Sequence, residues 1–143
     1  MYRALDVAKY VIERCNKMGY PISNLKLQKI LYFIQAEFLV AFDEQCFQED
    51  IEAWNFGPVV PEVYREYKIY GSASIPYLKE YDGVFINEEH KAVMDEVIDL
   101  CAQYTASTLV SITHNQKPWK DSFQRGKNCI ISPKAIKEFF SEG

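Results

Sequence analysis

Residues 24–42, NLKLQKILYFIQAEFLVAF, constrain the fold of this chain most, because they place apolar side chains on more than one side of a helix. The main stripe recurs at three- and four-residue steps and consists of Leu27, Ile30, Leu31, Ile34, Phe38 and Phe42. Outside that stripe lie Tyr32, Phe33, Leu39 and Val40. A helix of this kind is usually surrounded by others, so we predict that it is the central one. The polar residues predicted to form its only water-facing strip are Lys26, Gln28, Lys29, Gln35 and Glu37.

Apolar periodicity and capping residues predict helices elsewhere in the chain. The expected fold is mainly α, a compact single-domain bundle of about six helices. Besides the central helix, the predicted helical segments are residues 3–18, 61–70, 87–104, 105–114 and 133–140. A small β element is predicted near residues 46–56. A short hairpin is predicted near residues 76–86, where Asp82-Gly83 provides a turn.

Charge and cysteine usage disfavour several classes of protein. Sixteen Lys and Arg against twenty Asp and Glu give a net charge of −4, which disfavours nucleic acid as the main partner. The four cysteines form no CxxC pair, so we expect free thiols rather than a zinc knuckle or a disulfide framework. The N-terminus has no apolar signal-peptide core, and no apolar run reaches the roughly 20 residues of a membrane span. A cytoplasmic protein is expected.

The stretch WNFGPVVPEVY, residues 54–64, predicts a rigid corner that leads into a helix. Trp54 and Phe56 are predicted to be buried anchors, since large aromatic rings contribute most when buried. Gly57-Pro58 turns the chain, and Pro61 suits the first position of a helix, where the amide that proline lacks would be unpaired anyway.

Three tyrosines follow at steps of three residues, namely Tyr64, Tyr67 and Tyr70. With this spacing they lie along one side of a short helix. They either present an aromatic surface to a partner or cover the core with their hydroxyls in water. Both interpretations stay open at this point.

His114 is the best catalytic candidate, because imidazole transfers protons near neutral pH. No catalytic motif surrounds it, and a structural hydrogen bond near a helix end is the favoured alternative. The other histidine, His90, stands alone on an acidic helix. The acidic run 43–52 does not match an EF-hand loop and is predicted to be solvated surface, so no metal site is expected.

A basic segment, KPWKDSFQRGK at residues 117–127, offers an alternative function as a nucleic-acid-binding regulator. Its basic side chains are Lys117, Lys120, Arg125 and Lys127, with Trp119 between them. This pattern suits a single strand held by charge and stacking. The competing interpretation is a packed Trp119 with solvated lysines. The acidic clusters at 43–52 and 88–99 would instead steer a basic protein partner toward the chain.

Several collinear segments together resemble the Panacea domain, a family that includes the SocA-like antitoxins and the phage-associated GepA proteins. These segments are ISNLKLQKILYFIQAEFL, EDIEAWNFGPVVPEVYREYKIYG, LVSITHNQKPWKDS and ISPKAIKEFF. The resemblance covers most of the chain and assigns residues 1–143 to one domain. The residues that match the family motifs are Leu27, Gln28, Lys29, Leu31, Tyr32, Trp54, Phe56, Gly57, Pro58, Val59, Pro61, Tyr64, Thr113, His114, Pro118 and Trp119.

The resemblance implies an antitoxin, which neutralises a toxin by direct contact and is often encoded beside the toxin gene in bacterial or prophage genomes. It brings no enzymatic activity, cofactor or metal. Family members pair with different toxins, so the identity of the partner does not transfer with the fold. A homo-oligomer is left open. The candidate partner contacts, chosen by residue type, are Tyr64, Tyr67, Tyr70 and Trp119.

Overall fold

The computed structural model of the chain describes residues 1–77 and 85–142, which form seven α-helices and a three-stranded antiparallel sheet. In chain order the elements are α1 (Ala4–Met18), α2 (Asn24–Phe42), β1 (Ile51–Trp54), β2 (Gly57–Val59), α3 (Pro61–Tyr67), α4 (Glu88–Cys101), α5 (Ala106–His114), α6 (Lys117–Arg125), β3 (Ile130–Ile131) and α7 (Pro133–Ser141). The prediction of a mainly helical fold with a small β element is confirmed.

Local sequence sets the beginnings of four helices. The side chains of Ser23, Asn87, Thr105 and Ser132 each accept a hydrogen bond from a free backbone amide in the first turn of the helix that follows. Such caps satisfy amides that have no partner within the helix. Asn87 and the Ser132-Pro133 pair act as predicted, and Ser23 caps α2.

α2 is the central helix, as predicted. It contacts α1, α3, α4, α5, α7 and strand β2. Large side chains on several of its sides are fully buried, including Leu27, Leu31, Tyr32 and Phe38. The hydrophobic core therefore surrounds one helix.

The sheet has the strand order β2-β1-β3. β1 and β2 form a hairpin in which Ala53 pairs with Pro58, and residues 55–56 make the turn. β2 is an edge strand, which accommodates a proline because its missing amide costs no ladder hydrogen bond. Glu52 pairs with Ile130, so the sheet ties the hairpin to the end of the chain.

One feature of the fold differs from the sequence prediction. α6 is absent from the predicted helical segments, although its Pro118 lies in the first turn, where proline is tolerated. With α6, the described residues form seven α-helices. The hairpin predicted near residues 76–86 centres on 78–84, which lie outside the described residues. In the described part of the chain, none of the helices has the length and apolarity needed to cross a bilayer.

Candidate functional site

Three of the four motif segments meet at one place, the hairpin corner, which we define as residues 51–64. α2 lies beneath the hairpin corner, and α5 and α6 cover one side of its turn. The first motif segment lies on α2, the second forms the corner itself, and the third spans α5 and α6. The roles of these motif residues therefore follow from their contacts at the hairpin corner.

The polar residues of α2 do not face water, so that prediction was wrong for all but one of them. Lys26, Gln28, Lys29 and Gln35 are at most 8% exposed, and Glu37 alone is exposed. The chain from Cys46 to Val60 crosses the side of α2 that carries Gln28, Lys29 and Gln35. Lys26 lies on another side of the helix, beside residues 102–106. Buried backbone groups need hydrogen-bond partners, and the polar side chains of α2 provide them.

Gln28 holds the end of the hairpin corner. Its Oε1 accepts a hydrogen bond from the Val60 amide at 2.9 Å, and its Nε2 donates to Asn24 Oδ1 at 2.9 Å. Asn24 Nδ2 then donates to the carbonyl of Tyr64 at 3.0 Å. These bonds fix the position from which α3 begins, so two polar side chains of α2 set the orientation of the next helix.

Gln35 also holds the backbone of the crossing segment, about two helical turns further along α2 than Gln28. Its Oε1 accepts from the amides of Cys46 and Phe47 at 2.7 and 3.3 Å, and its Nε2 donates to the Phe47 carbonyl at 2.9 Å. A single amide side chain thus satisfies three backbone groups of the segment that precedes β1.

Lys29 is the most unusual of these residues, because its ammonium is fully buried. Its Nζ donates to the Pro58 carbonyl at 2.8 Å. Burial lowers the pKa of Lys29 to about 7. An amine with a pKa near neutral pH can act as a nucleophile. Gly57 and Pro58 cover the amine of Lys29, however, and its side chain has no exposed surface. The geometry suits a structural bond to the turn.

Gly57 makes this close approach possible. Its φ of +102° is unfavourable for residues with a Cβ atom. An added Cβ would lie 2.6 Å from Lys29 Cε and 2.8 Å from Thr113 Oγ1, too close for either contact. Glycine is therefore required both by the backbone conformation and by the two side chains packed against it.

α5 and α6 hold the turn of the hairpin from the other side. His114 Nε2 lies 2.9 Å from the Asn55 carbonyl, and the indole of Trp119 donates to the Trp54 carbonyl at 2.8 Å. The imidazole and indole rings are stacked, with centroids 4.1 Å apart. His114 therefore makes a structural hydrogen bond, which was the predicted alternative to a catalytic role. Trp119 holds the turn in place through its hydrogen bond to the Trp54 carbonyl.

The three tyrosines of the α3 region do not form one aromatic surface. Tyr67 is only 2% exposed, so the prediction that it contacts a partner is wrong. Its side of α3 packs against α1. Tyr64 and Tyr70 are half-buried, and Tyr64 packs edge to face on Trp54 with a centroid distance of 5.1 Å.

Phe56 is 66% exposed, so its prediction as a buried anchor is wrong. It lies at the tip of the two-residue turn, where no neighbouring element covers it. Trp54 is half-buried and carries the anchoring role without it. Between the corner and α2 lies an open cavity of about 330 Å³, lined by Leu25, Trp54, Phe56, Val59, Tyr64 and Lys127 among others.

The acidic run 43–52 is not simply solvated surface, as was predicted. Asp43 pairs with Lys137, Glu49 accepts a hydrogen bond from the Ala4 amide at 3.0 Å, and Glu52 accepts from the Trp54 indole at 2.9 Å. Three of these carboxylates therefore stabilise the fold.

The basic segment is also partly used inside the molecule. Lys117 pairs with Asp121 at 2.6 Å, and Arg125 donates to the Ile130 carbonyl at 3.0 Å. Lys117 and Arg125 remain exposed despite these contacts, as are Lys120 and Lys127. The nucleic-acid alternative therefore stays an untested prediction.

The remaining reactive side chains occupy structural positions. His90 does not stand alone as predicted, since its Nδ1 lies 2.6 Å from the Tyr2 hydroxyl and its ring packs on Phe38 and Phe42. All four cysteines are free thiols, and burial raises the pKa of Cys15 to about 11. Within residues 1–77 and 85–142, His, Cys, Asp and Glu form no group suited to hold a metal ion.

Comparison with known proteins identifies similar sequences. The family model described as "Antitoxin SocA-like, Panacea domain" matches residues 27–120, from α2 into α6. The chain is also 33% identical, over 154 aligned residues, to the protein named Antitoxin SocA from Caulobacter vibrioides (strain NA1000 / CB15N). That alignment covers 96% of this chain and 81% of the relative. No solved structure matches the chain significantly.

Proposed function

The chain belongs to the SocA-like antitoxins of the Panacea domain family, and from this we propose that it neutralises a cognate toxin by binding it directly. The observation that carries the proposal is the similarity to Antitoxin SocA along 96% of the chain. The proposed partner is a single toxin protein encoded by an adjacent gene in a bacterial or prophage genome. The proposed location is the cytoplasm, where the toxin would be made.

The exposed edge of the hairpin corner supports a role in binding. Phe56 is 66% exposed, and Tyr64 and Trp54 form the wall of a cavity beside it. Aromatic residues in such positions are favoured at protein interfaces. Tyr64 and Tyr70 are kept as proposed contacts. Trp119 is a weaker candidate, because its indole N–H and the face that stacks on His114 are already engaged.

We further propose that neutralisation requires no enzymatic activity, cofactor or metal of this chain. The two groups with the most suggestive chemistry support this. The amine of Lys29 is covered by the turn above it, and His114 is held against the Asn55 carbonyl and the ring of Trp119. Binding alone would then account for the activity.

Co-expression tests the proposal. The product of the neighbouring gene should arrest growth when it is produced alone, and this chain should restore growth when the two are produced together. A purified one-to-one complex of the two proteins would establish direct contact. A neighbouring product that is harmless alone, or a toxic product that this chain neither binds nor neutralises, would contradict the proposed function.

A further inference from the structure

An apolar groove lies on the opposite side of α2 from the hairpin corner, between α2, α4, α5 and α7. We call it the helix groove and define it by its lining residues Phe33, Val97, Leu100, Tyr104, Ile112 and Phe140. Its volume is about 320 Å³. That volume falls at the lower end of the range of about 300 to 1,000 Å³ that is typical of binding pockets.

The helix groove exposes apolar surface that the rest of the fold buries. Leu100 is 55% exposed and Tyr104 is 40% exposed, whereas Leu31 and Leu109 are at most 2% exposed. Val93, Val97, Leu100 and Tyr104 follow one another at three- and four-residue steps, so the apolar side of α4 continues past the covered part of the core. A contiguous exposed patch of this kind marks a surface on which another molecule packs.

The charges at the groove have one sign. Glu37 on α2 lines the groove, and Glu96 lies one helical turn from Leu100 on α4. Both carboxylates are exposed, and neither forms an ion pair within the described residues. Asp95 and Asp99 on the same helix differ, because both pair with Arg14 on α1. The helix groove therefore combines apolar walls with unpaired negative charge, and none of the described Lys and Arg residues lines it.

We propose that the helix groove binds an amphipathic α-helix of the cognate toxin, with an apolar stripe flanked by Lys or Arg. An apolar groove between helices accepts the side chains of such a stripe at positions i, i+3 or i+4, and i+7. Flanking cations meet Glu37 and Glu96, which favours this helix over an acidic one. The inference rests on the proposed function and adds a second contact surface, separate from the hairpin corner.

Titration calorimetry with the purified product of the adjacent gene tests this inference. Leu100→Arg places a bulky cation in the groove, and we expect it to weaken binding at least about tenfold, because its bulk and charge disrupt the apolar contact. The double variant Glu37→Lys with Glu96→Lys should weaken binding about three- to tenfold, with a loss of the dependence on salt. Because both glutamates are exposed, that variant keeps the fold and provides a second test.

Matched controls lie on α1, away from the groove. Met18→Arg changes an apolar residue that is 46% exposed, and Glu13→Lys reverses an exposed carboxylate. Both should bind the toxin as the unchanged chain does. Thermal unfolding of each variant shows that its loss of affinity does not come from loss of the fold.

Three outcomes would overturn the helix groove as the toxin site. The first is unchanged affinity in both groove variants. The second is an equal loss in the α1 controls. The third is dissociation of a dimer of this chain by Leu100→Arg with no change in toxin affinity, which would make a second copy the occupant. If the unchanged chain itself fails to bind the toxin, the proposed function fails instead, so the two failures are distinguishable.

Discussion

The two sides of α2 differ in how completely they are covered. On the side of the hairpin corner, Gln28, Lys29 and Gln35 are buried, and each bonds to the backbone of the segment that crosses them. On the side of the helix groove, Phe33 and the facing Leu100 are only partly covered. One side is closed by specific polar bonds, whereas the other has apolar surface left for a partner. Substitutions of the buried polar residues should therefore reduce stability, whereas substitutions in the helix groove should reduce binding.

Gly57→Ala should have the largest effect on stability. The added Cβ meets Lys29 and Thr113 at under 3 Å, and the positive φ adds backbone strain. Together these terms should lower the free energy of unfolding by about 2 to 5 kcal/mol, measured by urea denaturation.

Gly19→Ala is the matched control for Gly57→Ala. Gly19 has a φ of +78°, but no atom of the described residues lies within 4 Å of its added Cβ. Gly19→Ala should therefore lower the free energy of unfolding through backbone strain alone, by about 1 to 2 kcal/mol. Equal losses in the two variants would show that the close packing around Gly57 contributes nothing.

Gln35→Leu should rank second. It leaves the amides of Cys46 and Phe47 and the Phe47 carbonyl without their buried partner. A buried group left unpaired costs about 1 to 3 kcal/mol, so we expect a loss of about 2 to 4 kcal/mol in urea denaturation. Glu37→Ala on the exposed part of the same helix should change stability by less than about 0.5 kcal/mol. Equal stability losses for Gln35→Leu and Glu37→Ala would contradict the conclusion that polar bonds hold the hairpin-corner side of α2.

Lys29 should make stability depend on pH. Its pKa falls from 10.5 to about 7 on folding, so between these values the unfolded chain binds a proton that the folded chain lacks. Stability should therefore rise as pH rises from 7 to 9, by at most about 1.4 kcal/mol per pH unit. Above pH 9 the buried thiols act in the opposite direction, because the raised pKa of Cys15 and Cys101 favours the protonated form in the folded chain.

Lys29→Met isolates this contribution. The variant loses the bond to the Pro58 carbonyl but also loses the titrating amine. Its urea denaturation midpoint should therefore vary less between pH 7 and 9 than that of the unchanged chain. Parallel pH profiles for the two proteins would show that Lys29 does not change its protonation state on folding.

Leu100→Ala should have the smallest effect of the test substitutions, with the control Glu37→Ala set aside. The side chain is already 55% exposed, so its truncation should lower stability by less than about 1 kcal/mol. Leu109→Ala, at a buried leucine of the same groove, should cost about 2 to 5 kcal/mol in thermal or urea unfolding. A large loss at Leu100 would mean that the helix groove is part of the core rather than an open surface.

The sequence predicted the parts of the fold that depend on neighbouring residues. The central position of α2 follows from its apolar pattern, and the helix beginnings follow from the capping residues Asn87 and Ser132. It did not predict the burial of Lys29 and Gln35, because their partners are backbone groups of a distant segment. For the same reason it did not separate Tyr67 from its neighbours, since the packing of α3 on α1 and α2 decides which tyrosine is buried.

Hydrogen exchange of the complex tests most directly whether the partner binds on the open side of α2. On addition of the toxin, the account predicts slower amide exchange at the end of α4 and in α5, residues 97–112. The segment 46–50, which precedes the hairpin corner and is held by Gln35, should change little. A stable complex in which residues 97–112 exchange as fast as in the free protein would contradict the account.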